Sequence, residues 1–319
     1  MRAATRIPVR LLALCALLAL AAPALAQTAE TAAVITEIKP GRGRVEVKPA
    51  AGGDWRPARP LLALRVGDAV RTTDNARAVI LLSGGRGTVR VEGASGALTV
   101  PAAAAAGQGQ KARALVEASL GFLAGTTKES SQAVLATRSA ARPAVIVSPR
   151  NGRVLPDALA FEWLGSRFTR YTVRLVGPGG SVIEKREVTG ARWEYPTDAP
   201  ALSPNVRYTL QVVGPGHRPQ EAWFEVVDDA RARAVAGDLA GLEQELGGSV
   251  SPTSRAVLRA GLLAREGLFH DARRVVVAAL GADRDEPTLH LLLGDLYIRT
   301  GLADLAAESF DEAQFLLSK

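Results

Sequence analysis

Short runs of alternating apolar and polar residues fill the chain from about residue 33 to 228, and runs with helical spacing fill the rest. Val45 and Val47 alternate with Glu46 and Lys48, while Ala78, Ile80 and Leu82 form one face of a run whose other face holds Val79 and Leu81. Leu159, Phe161 and Trp163, then Tyr171, Val173 and Leu175, then Val206, Tyr208, Leu210 and Val212 keep the same two-residue period. An extended backbone points successive side chains to opposite faces, so each run is predicted as a strand. Gly84-Gly85, Gly177-Pro178-Gly179-Gly180 and Gly214-Pro215-Gly216 supply reversals between runs. From about Asp229 the pattern turns helical and returns after 34 residues: Gly267 as Gly301, Ala272 as Ala306, Val276 as Phe310, Ala279 as Ala313. That period is one helical hairpin, which hides its apolar face only by stacking on a neighbour.

The shifts divide the chain into a β-rich part at 33–142, a strand-rich part at 143–228 and a helical part at 229–319. Within the first, 101–110 is almost all Ala, Gly and Gln and reads as a loop, followed by a helix over Lys111–Leu123 with Leu115, Val116, Leu120 and Leu123 on its apolar face. Seven strands are expected in the second part, arranged as a sandwich. The fold class is therefore multidomain, β followed by α.

Residues 1–26 carry Arg2, Arg6 and Arg10, an apolar run from Leu11 to Ala22, and Ala24-Leu25-Ala26 before Gln27. This order predicts a signal peptide cleaved after Ala26 and a periplasmic protein with no transmembrane segment. The run is short of the roughly 20 residues that a spanning helix requires. Cys15, the single cysteine, leaves with the signal, so the mature chain holds no disulfide, thiolate metal site or cysteine nucleophile. The signal also removes three arginines and no acid, which lowers the formal charge from +7 to +4. Basic and acidic side chains number 16 and 9 in residues 27–142, 10 and 9 in 143–228, and 10 and 14 in 229–319. A basic front and an acidic rear suit different partners.

The segment Leu64-Arg65-Val66-Gly67-Asp68-Ala69-Val70-Arg71-Thr72, with Trp55 and Pro57 before it and Asn75-Ala76-Arg77-Ala78 after it, resembles the FecR domain signature. Gly67 permits a tight reversal and Asp68 can hold its backbone, so the pair needs no chemistry. The cytoplasmic segment and membrane helix of regulatory FecR proteins have no counterpart here, so the resemblance implies an envelope contact domain. The second part resembles a fibronectin type III or immunoglobulin-like module. There Phe161-Glu162-Trp163 marks a buried aromatic, and Leu202 to Tyr208 marks the corner where Tyr208 bonds back to its loop. Trp163, Tyr171, Trp193 and Tyr208 are its expected core. Leu293-Gly294, Tyr297, Gly301, Ala306, Phe310 and Ala313 resemble the tetratricopeptide pattern, in which small residues let paired helices approach.

The tetratricopeptide resemblance implies a concave partner-binding groove lined by Val257, Arg265, Leu291, Asp295, Ile298 and Arg299. Arg265 and Arg299, 34 residues apart, would either stack to grip a carboxylate or pair with nearby acids such as Glu266 and Asp295. Phe315 and Leu316, at an end without a polar capping helix, form a possible docking edge. His217, His270 and His290 stand singly without metal-ligand spacing, and no phosphate loop, dinucleotide fingerprint or nucleophile elbow occurs. No cofactor, metal or catalytic residue is implied, and nothing supports nucleic-acid binding. The expected function is a non-enzymatic periplasmic adaptor that binds envelope proteins, with peptidoglycan or another anionic polymer as a second partner class. The alternatives are a sensor in FecR-type signalling and a cell-wall polysaccharide-binding protein.

Overall fold

The computed structural model describes residues 31–83, 86–93, 96–102, 114–119, 121–123, 144–157, 159–247 and 250–319. The expected signal peptide at 1–26, Leu120 and most of the expected 101–110 loop lie outside the described residues.

The first part forms two four-stranded antiparallel sheets. One has the order β4 (Ala63–Leu64), β1 (Ala33–Lys39), β6 (Arg77–Leu82), β7 (Thr88–Glu92). The other runs β3 (Arg56–Pro57), β2 (Val45–Lys48), β5 (Ala69–Thr72), β8 (Leu98–Thr99). Ile35, Val45, Val47, Leu64, Val70, Ile80 and Val91 close a core between them. The Gly67 turn is as expected: φ is +85°, and Asp68 accepts hydrogen bonds from the Ala50 N–H at 2.9 Å and the Arg65 N–H at 2.8 Å. Asp68 is a turn-holder.

Strand β1 is buried on both faces, which its sequence AVITEIK conceals. Its register on β6 shifts between Ile35 and Glu37, a bulge that turns both Thr36 and Glu37 into the interior. On the side away from the sheet-to-sheet core, Val34 and Leu81 join Val116, Leu242, Leu246 and Leu258 from helical segments and Val250 from the connection before Pro252.

Among the described residues the second part has eight strands rather than seven. A three-stranded sheet has the order β14 (Arg192–Glu194), β11 (Ala160–Leu164), β9 (Val145–Ser148). A five-stranded sheet has the order β10 (Gly152–Val154), β16 (Gln220–Val226), β15 (Arg207–Val213), β12 (Arg170–Val176), β13 (Val182–Thr189). The extra strand is β10: after β9 the chain reverses at Asn151, φ +50°, and joins the other sheet beside β16 as its one parallel pairing. Phe161 stacks on Trp193 at 5.0 Å, Trp163 meets Tyr171 edge-on at 5.6 Å, and the Ser203 N–H donates to Tyr208 Oη at 2.7 Å. All four expected core aromatics are buried.

Helix α1 covers 114–119 and 121–123. Beyond the sandwich come α2 (Asp229–Leu246), α3 (Pro252–Arg265), α4 (Phe269–Ala282), α5 (Pro287–Arg299) and α6 (Ala303–Ser318). The Asp228 carboxylate caps α2 on the Arg231 N–H at 2.7 Å, as its place before a helical run suggests. Helices α3 and α4 pair as one hairpin and α5 and α6 as the next, with Gly267 and Gly301 at φ +75° and +78° in the equivalent turns. Ala272 and Ala306 are both fully buried. Among the described residues no helix is long and apolar enough to cross a membrane.

Candidate functional site

The two hairpins are gripped at both ends by the β parts, and this grip decides where the predicted site residues fall. At the N-terminal ends of α3 and α5 stands β1. Thr36 Oγ1 lies 2.7 Å from Ser254 Oγ, Glu37 Oε1 accepts from Ser254 Oγ at 2.8 Å and from Ser251 Oγ, and Ile38 N–H donates to Glu286 Oε1 at 3.3 Å. Lys39 closes the row on Asp283 at 2.6 Å. At the hairpin turns stands the sandwich. Arg153 N–H donates to the Gly267 carbonyl at 3.3 Å, while Arg150 Nε and Asn151 Nδ2 both donate to the Thr300 carbonyl at 3.0 Å. Equivalent turns of the repeat thus meet the same neighbour.

Helix α1 covers the face of the first helix of each hairpin. A Cβ added at Gly261 on α3 would lie 3.0 Å from the Leu123 side chain, and Arg299 on α5 lies over the Phe122 ring at 4.7 Å. The six residues expected in an open groove differ in their exposure. Val257 is fully buried, Asp295 is 2 % exposed, and Leu291 packs half-buried against the helical core. Only Ile298, at 41 %, is exposed. Arg265 donates to Glu266 at 2.8 Å and Arg299 to Asp295 at 2.7 Å, so each guanidinium is held by its neighbouring acid rather than stacked on the other. On that side β1 and α1 pack against the first helices, where Val257 and Asp295 are buried, while Arg265, Leu291, Ile298 and Arg299 keep part of their surface.

The predicted edge divides in the same way. Phe315 is 53 % exposed with Lys319 Nζ 4.6 Å above its ring, whereas Leu316 is buried and Leu317 packs against the core of the first β part. Ile298 and Phe315 each lie near the C-terminal end of their helix, so the short 300–302 connection sets them at opposite ends of the hairpin.

Buried titratable groups concentrate along the two seams. Burial pushes Glu286 up to about 7, against hydrogen bonds from Thr288 and Ile38 and with a further push from Glu37. Its Oε2 is buried without a hydrogen-bond partner. Burial raises Asp271 to about 6 although the Leu155 N–H donates to it at 3.1 Å. Burial drives His270 down to about 3, aided by Arg274, Arg273 and Arg192, so its imidazole is neutral. His270 Nδ1 sits 2.6 Å from Ser148 Oγ, a serine–histidine contact that a search for nucleophiles would notice. The cavity beside it holds about 10 Å³, room for about one water molecule. The pair is a polar rivet between sandwich and helix. Nearby, Glu162 joins Arg273 at 2.7 Å and Arg192 at 2.9 Å.

No protein-family model and no curated protein matches the chain. Thr36, Glu37, Ser148 and His270 were not singled out as joint residues in the sequence. Their partners lie more than a hundred residues away, beyond any local pattern. Glu286 gave one local signal, an acid before Pro287 at a helix start, and it does cap α5 on the Thr288 N–H at 3.2 Å.

Proposed function

We propose that this protein is an exported, non-enzymatic adaptor of the cell envelope whose helical hairpins serve as a rigid frame. The observation that carries this reading is the outer surface of α6. Asp304, Glu308, Asp311 and Glu312 are all exposed there, none in an ion pair among the described residues, and the exposed Phe315 follows them. A large apolar side chain beside four free carboxylates suits a protein partner with basic and apolar side chains. The signal-peptide pattern, the 34-residue repeat and the likeness of the first part to FecR domains support an envelope setting. Because β1 and α1 cover the first-helix faces, contact is assigned to α6 rather than to the inner groove.

A photo-reactive residue at 315, irradiated in intact envelopes, should capture one recurrent partner, and the same residue at 182 on β13 should not. Asp311→Lys with Glu312→Lys should abolish that capture. Recovery of no protein, or capture indifferent to the charge reversal, would remove the adaptor reading.

A second reading, binding of an anionic glycan, rests on Trp55. It is half-buried on the second sheet with the Arg71 guanidinium 4.2 Å over its ring. Sedimentation with purified peptidoglycan that survives Trp55→Ala would dispose of it.

A further inference from the structure

Between the sandwich and the second hairpin lies a cleft of about 370 Å³, within the size of small-molecule sites, about 300–1,000 Å³. Val145 and Leu164 from the sandwich and Leu302 and Leu305 from the hairpin give it apolar walls. Leu164 is 44 % exposed, a large apolar surface left in solvent at the mouth of a concave site. Three charges stand on the rim: Arg150, Asp304 and Glu308. Asp304 and Glu308 are four residues apart on α6 and so share one helix face.

Arg150 gives the cleft its polarity. Its Nε is anchored on the Thr300 carbonyl at 3.0 Å, and Asn151 Nδ2 reaches the same oxygen, which fixes the guanidinium at the wall. It meets no carboxylate among the described residues. Burial alone pulls its pKa below the ordinary arginine value, with no acid to offset the effect. A half-buried cation without an anion is an unfavourable arrangement that a bound carboxylate would relieve, and a guanidinium is the side chain best shaped for one. The acids of α6 are likewise without a cation.

We propose that this cleft binds a short apolar zwitterion, a di- or tripeptide whose carboxylate meets Arg150 and whose ammonium meets Asp304 and Glu308. The apolar walls take the side chains, and the two rim charges set the direction in which the peptide lies. The cleft shares Asp304 and Glu308 with the α6 surface of the adaptor reading, but peptide binding in solution is read without it, so loss of capture at residue 315 does not decide it.

Isothermal titration of the mature chain with Leu-Leu, Val-Leu and Leu-Leu-Leu tests it. At least one peptide should bind, and its C-terminal amide and its N-acetyl form should each bind at least tenfold more weakly. Asp304→Asn with Glu308→Gln, both exposed and safe for folding, should erase the difference between free and acetylated peptide. Leu305→Trp, which fills the cleft, should abolish binding while circular dichroism stays unchanged. The proposal is overturned if none of the three peptides binds. It also fails if the amide binds as well as the acid, if the acid-to-amide pair leaves the acetylation effect intact, or if Leu305→Trp leaves binding unchanged.

Discussion

Gly294 shows how closely a single position is fixed. A Cβ built on it would lie 2.3 Å from the Phe310 ring, so α5 and α6 touch where one residue has no side chain. Alanine there would gain about 1 kcal/mol in helix propensity. Overpacking of a filled site costs about 1–3 kcal/mol and outweighs that gain. Gly294→Ala should therefore lower stability by about 1 kcal/mol, seen as a fall of a few degrees in Tm. Phe310→Leu in the same background should recover most of the loss by opening space beneath the new methyl. A Gly294→Ala protein as stable as the parent would show that Phe310 rotates aside freely. The same local logic made Gly67, Asp68, Gly301 and Tyr208 legible in the sequence. Gly67, Gly301 and Tyr208 work within a few residues of themselves, in a turn or a corner, and Asp68 holds its own turn through the Arg65 N–H while also reaching Ala50.

At the scale of elements, the pairing of β1 with α3 and α5 was not legible, for a physical reason. Thr36 and Glu37 interrupt the apolar alternation of β1, and their partners Ser251 and Ser254, like Glu286, which accepts from the Ile38 N–H, lie more than two hundred residues away. The resemblance to tetratricopeptide hairpins gave the helices their pairing but left their inner face open, because the strand that fills it belongs to another part of the chain. This joint also carries a pH dependence. Glu286 has a folded value near 7 against an ordinary 4.5, raised first by burial. Below about 4.5 it is protonated in both folded and unfolded chains and contributes no difference. As pH rises towards 7 the unfolded chain releases its proton first, so folding is progressively disfavoured, by up to about 3 kcal/mol above pH 7. Glu286→Gln stays neutral throughout. Chemical denaturation from pH 4 to 8 should give matching slopes of stability against pH for the two proteins below about 4.5. Above that, the wild type should fall steadily behind, reaching its full deficit above pH 7. Asp271, raised in the same direction, is present in both and cancels from the difference. Parallel curves across the whole range would mean that Glu286 is better solvated than its burial implies.

For the whole molecule, composition and period divided the chain into three parts, yet residues Thr31–Lys319 form one compact unit. The parts meet through shared cores rather than through linkers. Val34 and Leu81 of the first sheet are buried against α1, α2 and α3, and Val147 and Val227 of the sandwich region belong to the core of the hairpins. Glu162 of the sandwich holds Arg273 of α4, an ion pair whose loss would strand a largely buried cation. Parts joined in this way have little stability of their own, since separation exposes apolar surface at roughly 25 cal/mol per Å² and leaves seam carboxylates and hydroxyls without partners. Residues Thr31–Lys319 should therefore melt in a single calorimetric transition whose van't Hoff and calorimetric enthalpies agree, as for one cooperative unit. A fragment of residues 31–102 should fail to give the cooperative melt of a folded domain, because Thr36, Glu37, Val34 and Leu81 would all face water. Replacement of Val34 and Leu81 by serine and threonine should improve the solubility of that fragment while weakening the full chain. Three separate transitions, or a cooperatively folding 31–102 fragment with its native sequence, would mean that the shared cores contribute little and that the parts fold as independent beads.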